Sequence, residues 1–197
     1  MNDFSEPMDP TKRPPLKLNQ LIRAMAEVGV RWVASGSVVL VAFGARFTPN
    51  DLDLVPATTP ENLEKLAELL DTLKARPAYF PNWPGSPTLE QCQAWEPKHH
   101  TEDYLNRLFV TPYGPLDVNM RQCGTYDQLS TDAVAVPAFG TTVHLAAPLR
   151  IAQEVLNRGR SKDRPRRAEL VGLVQQLHAG NASGAKGLAK ALEDRYS

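Results

Sequence analysis

The sequence has few of the features that mark secreted or disulfide-stabilised proteins. It contains two cysteines in 197 residues, Cys92 and Cys123, without a CxxC spacing. This number and spacing are typical of a protein from a reducing compartment and provide no disulfide framework. The first residues, MNDFSEPMDPTKRPP, show no basic-then-apolar leader. We therefore expect a cytoplasmic protein.

The sequence also lacks a net charge and a long apolar run. Its 22 basic and 22 acidic residues give a formal net charge of zero, so no global field attracts nucleic acid or a membrane, and such a partner would need a local patch. The fairly apolar residues 28–45 are interrupted by Arg31 and by several glycines and serines. We therefore expect no membrane span and no membrane partner.

What the sequence does contain is enough apolar material for one domain with a sizeable core. Apolar residues make up 42% and charged residues 22%, as in soluble globular proteins. The polar, proline-rich residues 1–15 predict a flexible N-terminal arm. Residues 16–146 predict a mixed α/β core, and residues 147–197 predict a C-terminal helical region.

The order of helical and strand patterns predicts an α/β (α+β) fold, with a small mixed β-sheet flanked by helices. The predicted helices are LKLNQLIRAMAEVGV, SVVLVAFGA with Ser37 at or near its N-cap, TPENLEKLAELLDTLKA capped by Thr59, and the segments after residue 147. The predicted strands are RWVAS, DLDLV, a hairpin turning at Tyr113-Gly114, and a pair within AVAVPAFGTTVHLA. The valines of SVVLVAFGA also fit a strand. Residues 77–103 predict a long loop with short structured pieces.

Two aspartates lie one residue apart in the strand-like segment DLDLV. On a strand, Asp51 and Asp53 project to the same face while the leucines pack on the other. Two like charges held together are costly unless a cation lies between them, and Mg²⁺ prefers such oxygen ligands. Asp117, in PLDVNM, would add the third carboxylate that a two-metal phosphoryl-transfer site needs. The plainer alternative is a polar strand face in contact with solvent.

The pair Gly36-Ser37 lies between a predicted strand and a predicted helix. Such a turn offers backbone N–H groups and a positive dipole end to a phosphate, with glycine allowing close approach and the serine adding a hydroxyl. Taken alone, a Gly-Ser turn before a helix is usually an ordinary cap.

The order of these motifs resembles that of the DNA-polymerase-β-like nucleotidyltransferase superfamily. Gly36-Ser37 is followed after thirteen residues by Asp51-Leu52-Asp53, and later by the single acid Asp117. The resemblance covers residues 30–121. The segments GARFTPNDLDLV and SKDRPRRAEL are in addition similar to the minimal nucleotidyltransferases and the AbiEii/MenT-like toxins of toxin–antitoxin pairs. Arg46, Thr48, Lys162 and Asp163 fill the positions that such proteins often share.

The resemblance implies a nucleotidyltransferase core in which an acceptor hydroxyl attacks the α-phosphate of a nucleoside triphosphate and releases pyrophosphate. Asp51 and Asp53 would hold one or both Mg²⁺ ions. Asp117 would complete the second metal site or help to deprotonate the acceptor. Gly36 and Ser37 would hold the β- and γ-phosphates.

The resemblance also assigns two basic side chains. Lys162 would make a further phosphate contact, and Arg46 would do the same or merely order its loop. For Lys162, the alternative is a solvated place in a basic run. Asp163 is better explained as an N-cap for the helix that begins near Arg164-Pro165.

The acceptor is open at the level of sequence. Residues 158–167, RGRSKDRPRR, contain six basic residues and could follow an RNA backbone, plausibly that of tRNA, if they lie beside the site. A solvated charge run is equally compatible. The resemblance allows a toxin role with a cognate antitoxin. Alternatives are a nucleotidyltransferase that modifies a small molecule or a protein, and a non-catalytic nucleotide-binding module.

Other conspicuous side chains, in or beside the predicted loop of residues 77–103, are weaker evidence for a binding or catalytic role. The loop aromatics could stack a base, although such residues commonly pack onto the fold: Tyr79, Phe80, Trp83, Trp95 and Tyr104. The pair His99-His100 invites a metal or general-base role, but no partner motif accompanies it, so we expect surface or packing roles.

Overall fold

The computed structural model describes residues 14–80, 86–159, 161–180 and 185–196. The strands are β1 (Trp32–Ser35), β2 (Leu52–Pro56), β3 (Arg76–Pro77), β4 (Leu108–Thr111), β5 (Gly114–Val118), β6 (Val134–Ala138) and β7 (Thr141–Leu145). The helices are α1 (Leu18–Val28), α2 (Gly36–Ala42), α3 (Pro60–Thr72), α4 (Leu89–Gln93), α5 (Glu102–Leu105), α6 (Tyr126–Ser130), α7 (Pro148–Arg158), α8 (Arg167–His178) and α9 (Ala185–Tyr196), with a 3₁₀ segment at Ser161–Arg166.

The strands form one mixed sheet in the order β3-β4-β5-β2-β1-β7-β6. At its centre, β2 runs antiparallel to β1 and parallel to β5. Every residue of β2 is buried, as expected for a strand covered on both faces. The predicted α/β class, a small mixed sheet flanked by helices, is confirmed.

The C-terminal helices contribute to the same core as the sheet. α7 packs against α2, and α9 packs against α2 and β6. Ile151, Leu170 and Leu192 are buried in one continuous hydrophobic cluster with the strands. The division into a core over residues 16–146 and a helical region after it stays a prediction, as does the N-terminal arm, of which residues 1–13 lie outside the described residues.

Three local features differ slightly from the sequence prediction. The N-cap of α2 is Ser35, so Ser37 lies in the first turn of the helix. The hairpin turns at residues 112–113, one position earlier than predicted, because Gly114 already pairs with Thr111. Asp51 lies in a bend immediately before β2 and not within the strand.

Two further features of the described residues bear on compartment. Cys92 and Cys123 are free thiols. No described helix has the length and apolar character needed to cross a membrane. A cytoplasmic location stays a prediction.

Candidate active site

Three polar residues form a row across the centre of the sheet. Asp53 of β2 pairs in register with Ser35 of β1 on one side and with Asp117 of β5 on the other. Residues paired in register on neighbouring strands project from the same face, with strands about 4.8 Å apart. Strand pairing therefore places the Asp53 and Asp117 carboxylates next to each other, although 64 residues separate them in sequence.

Gly36 makes room for one of these carboxylates. A Cβ atom at Gly36 would lie 1.9 Å from Oδ2 of Asp53 and 2.4 Å from its Cγ, far inside van der Waals contact. The glycine also has a φ of +62°, a conformation that side-chain-bearing residues rarely adopt. The Asp53 carboxylate therefore requires glycine at position 36. This requirement could not be predicted from the sequence.

Asp51 approaches the same place from the bend before β2. It is half-buried, whereas Asp53 is only 8% exposed. The prediction that both project from one strand face is therefore modified: Asp53 has its position fixed by the sheet, and Asp51 by the preceding loop. Both carboxylates nevertheless line one pocket together with Asp117.

This pocket has a volume of about 330 Å³ and two chemically different walls. We call one the sheet wall, formed by Asp51, Asp53, Asp117 and Asn119. We call the other the helical wall, formed by Ile151, Glu154, Val155, Arg158, Asp163, Arg166 and Leu170. The turn of Gly36 and Ser37, with Leu40, Phe47 and Asn50, and the segment of Gln122 and Cys123 complete the lining.

The helical wall carries four charged residues, Glu154, Arg158, Asp163 and Arg166. Arg158 donates to Glu154 one helical turn earlier, at 2.7 Å. The Arg166 guanidinium lies 4.4 Å from the centre of the Phe47 ring, in cation–π contact. Two arginines of the basic run, Arg158 and Arg166, therefore line the same pocket as the carboxylates.

Asp163 corrects the N-cap interpretation. It lies within the 3₁₀ segment, the N-cap of α8 is Arg166, and its carboxylate is only 8% exposed within the pocket lining. Asp53 and Asp163 are the two buried carboxylates among the described residues, and both line this pocket.

The loop between α2 and Asp51 is held by the C-terminal helices. The backbone N–H of Arg46 donates to the Glu169 carboxylate of α8. Arg195 of α9 donates to the carbonyl oxygens of Arg46 at 3.1 Å and Phe47 at 2.8 Å. Arg46 itself is exposed and is not among the described residues that line the pocket. Its contacts fit the loop-ordering alternative, and a phosphate contact stays a prediction.

The remaining predicted site residues fall into different places. Gly36 and Ser37 line the pocket, but their phosphate role stays a prediction. The side chain of Lys162 lies outside the described residues, and its role also stays a prediction.

The loop aromatics are explained in part by packing. Trp95 is buried, stacks on Tyr104 at 5.5 Å and contacts Phe109, while His99 makes an edge contact with Tyr104. Trp83 lies outside the described residues. None of these contacts involves the pocket lining.

Cys123 is the one thiol among the described lining residues. Burial raises the pKa of its thiol above the ordinary value, against a smaller opposite effect of the Arg158 charge. Since the thiolate is the reactive form, Cys123 is a poor nucleophile at neutral pH.

The carboxylates fit Mg²⁺ by donor type. Within the described residues, no three His, Cys, Asp or Glu side chains stand together as a ready-made metal cage. Mg²⁺, however, is commonly held by one or two carboxylates plus substrate phosphates, and keeps several waters. Asp53 and Asp117, adjacent on parallel strands with Asp51 in the same pocket, supply that kind of donor set.

The chain is similar in fold to solved structures but matches no known family. No family model matches it, and no curated protein matches it. The solution structure of the antibiotic-resistance factor ANT(2'')-Ia is similar with a TM-score of 0.48 at 15% identity, covering 91% of each chain. The crystal structure of ANT(2'')-Ia in complex with adenylyl-2''-tobramycin is similar with a TM-score of 0.45 at 13% identity, covering 91% of this chain and 97% of that one.

Proposed function

We propose that the protein transfers a nucleoside monophosphate from a nucleoside triphosphate to an acceptor hydroxyl. The observation that carries this proposal is the row of Asp53 and Asp117, in register on adjacent parallel strands, beside the turn of Gly36 and Ser37 in one pocket. Metal-assisted phosphoryl transfer requires clustered carboxylates next to a place for phosphate oxygens.

The two walls would divide the work of the reaction. Asp51, Asp53 and Asp117 would hold Mg²⁺, which when bound supplies positive charge at the phosphate oxygens. Asp117 would accept the proton of the acceptor hydroxyl as the new O–P bond forms and the bond to the leaving pyrophosphate breaks. From the helical wall, Arg158 and Arg166 would bind phosphate oxygens, because guanidinium groups suit them in charge and geometry.

The size of the pocket favours a small-molecule acceptor over RNA. Its volume of about 330 Å³ is in the range of sites that enclose small ligands.

RNA remains the second candidate acceptor because of the basic segment beside the pocket. Arg164 and Arg167 are exposed next to the pocket residue Arg166. They could contact a backbone outside the acidic pocket while a terminal hydroxyl enters it. A toxin role with a cognate antitoxin is a prediction from the sequence resemblance alone.

One labelling experiment tests both the proposed reaction and the proposed acceptor. The protein is incubated with Mg²⁺, each α-labelled nucleoside triphosphate and a cell extract, and the label is followed into RNA, protein and small molecules. We expect Mg²⁺-dependent label in the small-molecule fraction, absent with Asp53→Asn. Label in RNA would mean that RNA, and not a small molecule, is the acceptor, and the proposed reaction would stand. No incorporation with any nucleotide in any fraction would contradict the proposed function.

A further inference from the structure

The side chain of Gln122 contacts the central carboxylate of the sheet wall. Its Nε2 atom donates to Oδ1 of Asp53 at 2.9 Å. The other oxygen of that carboxylate, Oδ2, occupies the space left by the missing Cβ of Gly36. The two oxygens therefore have separate, fixed surroundings, and rotation of the carboxylate would both break the Gln122 contact and move Oδ2 out of its space.

The other end of the same amide is unsatisfied. Oε1 of Gln122 is buried and accepts no hydrogen bond from the described residues, although Gln122 lines the pocket. Reversing the amide would place this oxygen against a carboxylate oxygen, so the Asp53 contact itself defines the orientation. A buried acceptor without a donor is costly, so the amide is held for its contact with Asp53 although its other end loses free energy.

We propose that Gln122 is a positioning residue that fixes the Asp53 carboxylate for cation binding. This inference rests on the proposed function. A group that donates to a ligating carboxylate holds it in the orientation for its metal, and loss of such a group weakens metal binding.

The test compares two Gln→Met variants, which keep side-chain length and remove the amide. Gln122→Met removes the contact with Asp53, and Gln176→Met, on the exposed side of α8, is the matched control. Binding of Mn²⁺ is titrated in the presence of a triphosphate analogue that cannot be cleaved between its α- and β-phosphates, because phosphate oxygens complete the ligands of the cation. We expect Gln122→Met to weaken Mn²⁺ binding about tenfold and Gln176→Met to leave it unchanged. In an Asp53→Asn background, Gln122→Met should have no further effect, because the group that it positions is gone.

The outcomes separate this inference from the proposed function. If Asp53→Asn weakens Mn²⁺ binding while Gln122→Met does not, the positioning role is wrong and the proposed metal site stands. If Mn²⁺ binds equally well to the wild type and to Asp53→Asn, the metal role of the sheet wall is wrong, and the proposed function with it.

A second measurement needs no variant at position 122. The side-chain amide signals of ¹⁵N-labelled glutamine are recorded in the wild-type protein during addition of Mg²⁺. We expect the Gln122 amide to shift with Mg²⁺, and the Gln176 amide to stay in place. A Gln122 amide that does not respond to saturating Mg²⁺ would overturn the inference even if Gln122→Met failed to fold.

Discussion

The two walls of the pocket position their charges by different physical means. On the sheet wall, Asp53 and Asp117 take their places from strand register, which the backbone hydrogen bonds define. On the helical wall, Arg158 and Arg166 reach the pocket through long side chains, one held by Glu154 and one resting on the Phe47 ring. The sheet wall is therefore the rigid part of the site, and the helical wall the adjustable part.

This difference leads to an expectation about kinetics. Groups that hold the cation next to the reacting atoms act in nucleotide binding and more strongly in the transition state, so their loss lowers kcat and also weakens nucleotide binding. Groups that bind remote phosphates through flexible side chains act in both the ground state and the transition state, so their loss mainly raises KM.

The largest effect should come from the sheet wall. Asp53→Asn and Asp117→Asn should each lower kcat about 10³-fold, corresponding to roughly 4 kcal/mol of transition-state stabilisation. Asp163, on the helical wall, is as buried as Asp53, but Asp163→Asn should lower kcat only about tenfold. Steady-state rates with α-labelled nucleotide measure the three variants, and the exposed Asp71→Asn is the control. If Asp117→Asn kept full activity, Asp117 would not be the third acid.

The second largest effect should come from Gly36→Ala, which should lower both the activity and the free energy of unfolding. The new Cβ would overlap the Asp53 carboxylate, and a displacement of about 1 Å can lower the rate roughly 10²-fold. The positive φ and the overlap together should cost about 2–4 kcal/mol of unfolding free energy.

Gly29→Ala provides the matched control for this prediction. Gly29 also has a positive φ, of +73°, but a Cβ there would meet no atom within 4 Å. Denaturant unfolding should therefore show a cost of only about 1–2 kcal/mol for Gly29→Ala. Equal losses of unfolding free energy in the two variants would mean that the protein relieves the overlap with Asp53 at no cost in stability. Asp53→Ala should restore part of the stability of Gly36→Ala, because it removes the overlapping group.

How much of this site could be predicted from sequence depends on which wall is considered. The sheet wall was predictable in part. Alternation along DLDLV and PLDVNM assigns Asp53 and Asp117 to faces, and the Gly-Ser turn precedes them at a recognisable spacing, whereas Asp51 lies in the bend before β2 and not on a strand face. To predict that Asp53 and Asp117 lie next to each other, one needed only to assume that their strands are neighbours in the sheet. The observed strand order places β2 beside β5.

The helical wall was not predictable to the same degree. Asp163 follows no periodic pattern, and its burial depends on tertiary packing around the 3₁₀ segment, so an N-cap was the simpler explanation. Gln122 lies in an irregular turn after β5, where sequence gives no face assignment. Contacts between distant segments, such as Arg166 with Phe47, follow from tertiary packing and leave no local signal.

The helical wall should show smaller effects of a different kind. Arg166→Ala should raise the KM for nucleotide about tenfold and change kcat little, because it removes a charged phosphate contact that acts before and during the reaction. Arg150→Ala, on α7 and paired with Asp132, is the control. Initial rates over a range of nucleotide concentrations separate the two parameters. A fall in kcat without a change in KM would place Arg166 with the rigid wall.

The smallest effect concerns the reactivity of Cys123. Because burial raises the pKa of its thiol, the thiolate fraction at neutral pH is low and grows as the pH rises towards that pKa. Alkylation by iodoacetamide, followed by mass spectrometry, should be slow at pH 7 and faster above pH about 9. Nucleotide with Mg²⁺ should slow it further by filling the pocket. Fast alkylation at pH 7 would contradict the raised pKa.

The most direct test of the account is nucleotide binding with and without a divalent cation. A triphosphate analogue that cannot be cleaved between its α- and β-phosphates is titrated into the wild type, Asp53→Ala, Asp117→Ala and the control Asp71→Ala. We expect binding that requires Mg²⁺, persists in Asp71→Ala and is lost in both sheet-wall variants. Binding that is equally strong without Mg²⁺ and unaffected by Asp53→Ala would contradict the account and favour a non-catalytic nucleotide-binding module.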